Sequence, residues 1–347
     1  MDGLPLIPPL DLDAQASAQA RHATLTKPPG SLGRLESLAF QLAAITGQSI
    51  PSVARKAIVV MAADHGVTAE GVSAYPAAVT AQMVHNFVRG GAAINVLARQ
   101  AGARVVVVDV GVAADLWEQP GLLARKVAWG TRNMARGPAM TRAQAEAAVR
   151  VGLALAEAEA ANGLDLIATG DMGIGNTTAS TAIVAAFTRL PVAQLTGRGT
   201  GVDDAGLARK IAVIEQALAV NQPDAHDPLD VLAKVGGLEI AGLVGVILGA
   251  AARRVPVVID GFISGAAALV AAGLAPAVTP YLIPAHQSVE AGHAVVLERL
   301  GLRPLLCLDM RLGEGTGAAL AFHLVEAAAR LLAEMSTFAE AGVSGKD

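Results

Sequence analysis

The stretch Leu305-Leu-Cys-Leu-Asp-Met-Arg-Leu-Gly-Glu-Gly-Thr-Gly-Ala-Ala-Leu320 contains the parts of an α/β unit in sequence order. The apolar run Leu305–Leu308 predicts a strand that ends at Asp309, and a helical pattern resumes at Ala318. Between them, Glu314 has a glycine on either side, so the backbone there can approach a ligand closely. Ligands of open α/β sheets bind outside the carboxyl ends of the strands. We therefore expect Glu314 to lie at a ligand site, and Asp309, at the end of the predicted strand, to have a structural role.

The same order of an apolar run, an acidic residue, a glycine and a helix occurs earlier in the chain. The apolar runs and their acidic residues are Ile58–Met61 with Asp64, Val105–Val108 with Asp109, Leu164–Ala168 with Asp171, and Val255–Ile259 with Asp260. Continuous apolar strands that alternate with helices are typical of a parallel sheet covered on both faces. The sequence therefore predicts an α/β fold with a mostly parallel sheet, whose strand-to-helix loops meet at one edge.

Helical patterns between these strands predict the remaining elements. The predicted helices are Ala77–Ala101, Arg142–Ala161, Ala179–Thr188, Ala205–Val220, Pro228–Ala252 and Gly265–Ala272. Both ends of the chain are also helical in pattern. We expect residues 1–50 and 318–347 to form a small helical domain beside an α/β catalytic domain of residues 51–317.

Composition excludes several classes of protein. The chain has 347 residues, of which 53% are hydrophobic and 16% charged, with a net charge of −4. This suits a packed α/β protein and gives no electrostatic reason to expect nucleic acid or an anionic membrane as partner. The single cysteine, Cys307, excludes a disulfide framework and is expected to be buried. Charges and glycines interrupt the most apolar segments, so we expect no membrane span and a cytoplasmic protein.

Two glycine-rich loops could hold an anion. Gly170–Thr178 opens a predicted helix with Asn176, Thr177 and Thr178, so its N–H groups and side chains could cradle a phosphate, although a structural turn is an equal alternative. It lacks the lysine of a P-loop. In the second loop, Gly197–Gly206, the adjacent Asp203 and Asp204 could cap a helix or hold Mg²⁺ for a diphosphate substrate.

The segment His286–His293 has its two histidines too far apart for a helical zinc site, and no cysteine accompanies them. Helix capping and hydrogen bonding to substrate are the better interpretations, with Ser288 a candidate phosphate donor. Glu314 has two open interpretations: it could cap the following helix, or act as a general base whose pKa is raised by burial.

Taken together, these loops resemble one family, the nicotinate-nucleotide:dimethylbenzimidazole phosphoribosyltransferases of cobalamin nucleotide-loop assembly. The matching segments run in order over nearly the whole chain: 27–36, 63–67, 71–76, 170–178, 197–206, 260–265, 286–293 and 312–317. The resemblance implies a Rossmann-like parallel sheet with a small helical domain, and a homodimer. It also implies transfer of a phosphoribosyl group from nicotinate mononucleotide to 5,6-dimethylbenzimidazole, with no cofactor and no metal.

The resemblance further implies the site. Glu314 would remove the benzimidazole proton, and Asp171 and Lys210 would also act in the site, although family members often have Glu where Asp171 stands. The base pocket would be lined by Ser73, Tyr75, Gln82 and Leu312. Ribose and phosphate would face Gly173, Gly175, Asn176, Thr177, Gly201 and Ser288.

Two alternatives remain open from the sequence. One is a Mg²⁺-dependent transferase that uses phosphoribosyl diphosphate, with Asp203 and Asp204 on the metal. The other is a regulatory module that binds a mononucleotide without turnover, in which Glu314 would only cap a helix.

Overall fold

A computed structural model describes residues 3–116 and 119–344 and is built around a sheet of six parallel strands. The strands are β1 (Lys56–Ala63), β2 (Ala103–Gly111), β3 (Leu122–Ala124), β4 (Leu166–Met172), β5 (Val257–Ile259) and β6 (Leu282–Pro284). Their spatial order is β3-β2-β1-β4-β5-β6. The order reverses between β1 and β4, which pair directly, and this is the point at which doubly wound sheets open a ligand crevice.

Helices cover both faces of the sheet. They are α1 (Leu12–Ala23), α2 (Arg34–Thr46), α3 (Val79–Arg89), α4 (Ala93–Gln100), α5 (Arg142–Ala161), α6 (Asn176–Thr188), α7 (Val192–Leu195), α8 (Asp204–Asn221), α9 (Pro228–Val235), α10 (Leu238–Ala252), α11 (Phe262–Leu274), α12 (Ala291–Arg299), α13 (Thr316–Glu334) and α14 (Phe338–Ala341). Short 3₁₀ helices span Gly66–Glu70 and Pro276–Tyr281.

Strand β1 separates two hydrophobic cores because its side chains point to alternate faces. Val59 and Met61 pack with α5 and α10, whereas Ile58 and Val60 pack with α2, α4 and α13. All eight residues of β1 are buried, as expected for a central parallel strand.

Helices α5 and α10 approach each other closely at glycines. A Cβ atom placed on Gly152 would lie 1.9 Å from the carbonyl oxygen of Gly242, and one on Gly245 would lie 2.0 Å from that of Val149. Only glycine fits at these positions, which explains why the apolar helix α10 is rich in small residues.

The terminal helices pack together. Helix α2 packs against α1 and α13, and an isolated antiparallel bridge joins Leu25 to Thr337. Helix α13 also packs against α4, β4 and β5, so the terminal helices share a core with one face of the sheet. The predicted division into domains at residues 50/51 and 317/318 stays a prediction, and residues 1, 2 and 345–347 lie outside the described part of the chain.

The α/β fold with its parallel sheet is confirmed, but the strand predicted at Leu305–Leu308 is wrong. This segment runs beside the chain that follows β6 and makes only one isolated parallel bridge among the described residues, between Leu306 and His286. It lies at the outer edge of the sheet, and Cys307 and Leu308 are exposed. The expectation of a buried cysteine is therefore wrong as well. Asp309, in a left-handed backbone conformation with φ 53°, is exposed.

Two predicted helices are each two helices in the structure. The Ala77–Ala101 pattern is broken at Gly90-Gly91 and the Pro228–Ala252 pattern at Gly236-Gly237, because paired glycines end one helix before the next begins. The short strands β3 and β6 were not predicted, since three residues carry too little pattern. The other predicted helices are found, with ends that differ by a few residues at most.

One helix of the described residues, α13, has the length and apolar composition of a membrane span. Of its most apolar 18-residue window, 56% is buried within the protein, as in a core helix. The very apolar α10 and α11 have 15 and 13 residues, fewer than the ~20 residues that a span requires.

Candidate active site

Glu314 lies at the carboxyl edge of the sheet, beside the end of β4. A Cβ atom on Gly170 would lie 2.5 Å from the carbonyl oxygen of Glu314, so the loop rests directly on the strand. Glu314 has a φ of 63°, an unusual value for a residue with a side chain, and its carboxylate is buried. Burial raises its pKa to about 7, although the N–H of Ile94 opposes this by donating to Oε2 at 3.4 Å. Such a pKa suits a general base.

The first turn of α13 is capped by Asp260 and not by Glu314. The Asp260 carboxylate accepts hydrogen bonds from the N–H groups of Gly315, at 3.2 Å, and Ala318, at 2.9 Å. The Glu314 side chain instead contacts the N-terminus of α4 through Ile94. The interpretation of Glu314 as the cap of the following helix is therefore wrong, and its carboxylate is available at the site.

Asp171 lies near the end of β4, close to the Glu314 loop. A Cβ atom on Gly313 would lie 3.1 Å from Asp171 Oδ2. Asn176 donates to the same oxygen at 2.9 Å, while the buried Oδ1 has no hydrogen-bond partner among the described residues. Burial raises the pKa of Asp171 well above its usual value, and the nearby carboxylates of Asp260 and Glu239 raise it further.

Lys210 is a buried cation beside the N-terminus of α6. It extends from α8, and its ammonium donates to Thr177 Oγ1 at 2.8 Å and to the carbonyl oxygen of Gly197 at 3.2 Å. Burial lowers its pKa to about 8, and Glu290 opposes the shift. Lys210 thus joins the N-terminus of α6 to the loop that begins at Gly197.

The remaining residues expected at ribose and phosphate are grouped around α6. Gly175, with φ 94°, is the N-cap of this helix, and Asn176 and Thr177 form its first turn. Gly173 is packed so tightly that a Cβ atom would lie 2.5 Å from the carbonyl oxygen of Ala63. A helix N-terminus preceded by glycines, where the backbone N–H groups can come close to a ligand, is suited to bind an anion.

Two further residues of this group lie on neighbouring loops. Gly201, with φ 103°, is exposed at the end of the loop that begins at Gly197 and contacts Lys210. Ser288 is buried beside Gly261, and its N–H donates to His293 Nδ1 at 2.9 Å.

The four residues expected at the base pocket have fewer contacts with the other predicted site residues. Ser73 Oγ lies 3.0 Å from Thr200 Oγ1, so the 71–76 segment contacts the loop that begins at Gly197. The N–H of Tyr75 donates to Ser73 Oγ, and the Tyr75 ring is more than half exposed. Gln82 is exposed on α3, and Leu312 is exposed two residues before Glu314. No described hydrogen bond joins the side chain of Tyr75 or Gln82 to Glu314, so the pocket that these residues and Leu312 would share stays a prediction.

His286 and His293 are buried with ring centroids 6.1 Å apart. Burial lowers the pKa of His293 to about 3, and it accepts from the Ser288 N–H. These contacts lie within the segment itself, and hydrogen bonding of this segment to a substrate stays a prediction. Across residues 3–116 and 119–344, no group of three or more His, Cys, Asp or Glu side chains is arranged as a metal site.

A second buried pair lies beneath the site. His65 donates to Glu239 Oε1 at 2.5 Å, and both side chains are almost completely buried. Burial opposes protonation of His65, but the Glu239 carboxylate outweighs it and raises the pKa of the histidine. Asp64 is also buried there, and Oδ2 accepts from the N–H of Ala113 at 2.8 Å.

Sequence reasoning missed Glu239, Glu290 and Thr200 as members of the site. Glu239 carried a usable signal, because it is the single charged residue of the otherwise apolar α10. Glu290 and Thr200 carried none, because their roles come from contacts with distant segments. In the second loop, Asp203 caps α8 by accepting from the N–H of Gly206, and Asp204 pairs with Arg198. The capping interpretation is thus confirmed for Asp203.

The fold and the site define a class: a Rossmann-like α/β protein in which a helix N-terminus suited to an anion lies close to buried carboxylates. Residues 7–343 match the family described as phosphoribosyltransferase. Relatives named nicotinate-nucleotide–dimethylbenzimidazole phosphoribosyltransferase include one from Roseiflexus sp. (strain RS-1), 66% identical over 98% of this chain and 96% of that protein. Another is from Geobacter sulfurreducens, 60% identical over 100% of this chain and 98% of that protein.

The structure agrees with the sequence relatives. The crystal structure of CobT from Thermus thermophilus superposes with a TM-score of 0.93 at 52% identity, covering 96% of this chain and 100% of that one. The chain therefore belongs to the nicotinate-nucleotide–dimethylbenzimidazole phosphoribosyltransferase family, as its sequence predicts.

Proposed function

We propose that the protein transfers the phosphoribosyl group of nicotinate mononucleotide to 5,6-dimethylbenzimidazole, giving α-ribazole 5′-phosphate and nicotinate in cobalamin biosynthesis. The observation that carries the proposal is Glu314, a buried carboxylate with a pKa of about 7 at the carboxyl edge of the sheet. Family membership supports the same reaction.

The chemistry requires one base and no general acid. Nicotinate in the mononucleotide is a cationic pyridinium, so the bond from C1′ to its nitrogen breaks with the electron pair going to that nitrogen. One benzimidazole nitrogen forms the new bond to C1′, while the proton on the other nitrogen passes to Glu314. Attack opposite to the leaving group converts the β anomer to the α anomer. A positioned base contributes about 10²–10⁴-fold.

Acidic side chains around Glu314 suit the positive charge on this substrate. Asp260 and Glu239 lie close enough to Asp171 to raise its pKa, and a substrate cation bound beside these carboxylates would favour their charged forms. We propose that Asp171, through its unpartnered Oδ1, faces the ribose and the charge that develops at C1′.

We propose that the 5′-phosphate binds at the N-terminus of α6, where Gly173, Gly175, Asn176 and Thr177 supply donors. Lys210 would add its ammonium from the side, and Gly201 and Ser288 would complete the surroundings of ribose and phosphate. Among the described residues, the Lys210 ammonium bonds only neutral oxygens, those of Thr177 and Gly197, which supports its use for an anionic ligand.

We propose that Ser73, Tyr75, Gln82 and Leu312 hold the flat benzimidazole. The exposed faces of Tyr75 and Leu312 support this, since an apolar ring would remove them from water. We further propose a cytoplasmic homodimer, on the basis of the family resemblance, and a helical domain formed by residues 1–50 and 318–347. Light scattering would measure the oligomeric state.

The direct test is incubation with nicotinate mononucleotide and dimethylbenzimidazole, followed by NMR assignment of the product's anomeric configuration. An α product supports the proposal, and a β product or no product refutes it. The Mg²⁺-dependent alternative predicts activity with phosphoribosyl diphosphate that EDTA abolishes. The regulatory alternative predicts binding of the mononucleotide without turnover.

A further inference from the structure

Glu290 is a buried carboxylate that the proposed reaction does not use. It precedes α12 and is 5% exposed. Its Oε1 accepts a hydrogen bond from the N–H of Gly199 at 3.0 Å. A Cβ atom on Gly197 would lie 2.1 Å from Oε2, so the loop backbone rests directly on the carboxylate. Oε2 itself has no hydrogen-bond partner among the described residues.

Lys210 contacts the same loop. Its ammonium donates to the carbonyl oxygen of Gly197, and a Cβ atom on Gly199 would lie 3.0 Å from Nζ. The backbone from Gly197 to Gly199 thus contacts both the Glu290 carboxylate and the Lys210 ammonium. The lysine is 1% exposed, and a buried charge requires a counter-charge or strong hydrogen bonds.

The other charged groups near this loop have their own partners. Arg198 pairs with Asp204, and Asp203 caps α8. Arg311 donates to the carbonyl oxygen of Gly199 at 2.7 Å. Helix α6 contributes the hydroxyl of Thr177 to Lys210. Glu290 is the acidic side chain that opposes the effect of burial on Lys210.

We propose that Glu290 is a positioning residue: it holds the Gly197–Gly201 loop through Gly199 and supplies the counter-charge for the Lys210 ammonium that receives the substrate's phosphate. This inference rests on the proposed function. Glu290 acts through Lys210 and the loop and touches no reacting atom.

Two substitutions separate its two contributions. Glu290→Gln keeps an acceptor for the Gly199 N–H and removes the charge. Without the counter-charge, Lys210 loses its proton at a lower pH. We expect the Michaelis constant for nicotinate mononucleotide to rise about tenfold at about pH 8.5. In the wild type this constant should increase at alkaline pH, and in the variant the increase should begin up to about one pH unit lower. At about pH 6.5, where Lys210 stays protonated, the change should be less than about threefold.

Glu290→Ala removes the loop anchor as well, so we expect a rise in the same Michaelis constant at every pH. The Michaelis constant for dimethylbenzimidazole and kcat should change by less than about threefold in both variants. Glu298→Gln, an exposed acid on α12, is the matched control and should behave as the wild type. Thermal unfolding is measured for all of them.

The outcomes distinguish the inference from the proposed function. An inactive wild type refutes the proposed function itself. An active wild type with an unchanged pH profile in Glu290→Gln refutes the role of the charge. If Glu290→Ala lowers the melting temperature and leaves the Michaelis constant for the mononucleotide unchanged, the residue supports only the fold and the inference is wrong.

Discussion

Replacing Glu314 with Gln removes a proton acceptor and a buried charge together, and the two losses should have opposite effects. Without the acceptor, kcat should fall about 10²–10⁴-fold, while the Michaelis constants change little. Without the charge, the folded protein should become more stable at neutral and alkaline pH. Activity and stability would then change in opposite directions, as at other sites where function requires an unfavourable group.

The size of the stability effect follows from the pKa of Glu314. Burial raises it from 4.5 to about 7. Each unit corresponds to about 1.36 kcal/mol, so ionising Glu314 costs the folded state at most about 3 kcal/mol. The raised pKa favours the folded state fully below the unfolded value of 4.5, and this contribution is lost as pH rises through about 7. Gln has no such titration.

Denaturant unfolding at two pH values tests this. We expect Glu314→Gln to exceed the wild type in unfolding free energy by about 1 kcal/mol at about pH 5 and by up to about 3 kcal/mol at about pH 8. Glu215→Gln, at an exposed position on α8, is the control and should show no such difference. A stability difference that does not depend on pH, or a variant that keeps wild-type turnover, would refute the reasoning.

Three further predictions concern the same site. The pH profile of kcat/KM should be bell-shaped. It should rise through about pH 7 as Glu314 loses its proton and fall through about pH 8 as Lys210 loses its own. A profile that stays flat from about pH 6 to 9 would contradict both assignments. Gly170→Ala should lower kcat by about 10²-fold, because the new Cβ atom would lie 2.5 Å from the Glu314 carbonyl oxygen and displace the base. Steady-state kinetics would measure this loss, with circular dichroism as a folding control. An unchanged kcat would show that the Glu314 loop tolerates the shift. His65→Ala should lower the unfolding free energy by about 3–5 kcal/mol, because it leaves Glu239 buried without its partner. Urea unfolding measures this change. A loss below about 1 kcal/mol would mean that Glu239 becomes neutral or gains another donor.

The environment of Glu314 explains how a carboxylate can act near neutral pH without a second acid in the proposed reaction. Burial favours its neutral form, while the N-terminus of α4, through the Ile94 N–H, limits the shift. The neighbouring Asp260 is held by the N-terminal N–H groups of α13 and so keeps the Glu314 loop in place. Each carboxylate therefore has a different task, which its hydrogen-bond donors decide.

The sequence by itself determined the sheet and the loops at its carboxyl edge. Buried parallel strands need continuous apolar runs, so β1, β2, β4 and β5 were visible, and glycines marked the points where the chain approaches closely. Glu314 stood out for the same local reason, since it lies between glycines before a helix. Family motifs, which are also local, identified the expected reaction.

Only the tertiary structure decided which groups meet and how strongly burial changes them. Leu305–Leu308 has the composition of a strand, but its place at the outer edge of the sheet leaves it with a single bridge among the described residues. The contact of Glu290 with Gly199 and that of Ser73 with Thr200 join segments about a hundred residues apart, and no local pattern encodes them. The pKa of Glu314 depends on how much water surrounding segments exclude, and exclusion of water is a property of the packed fold.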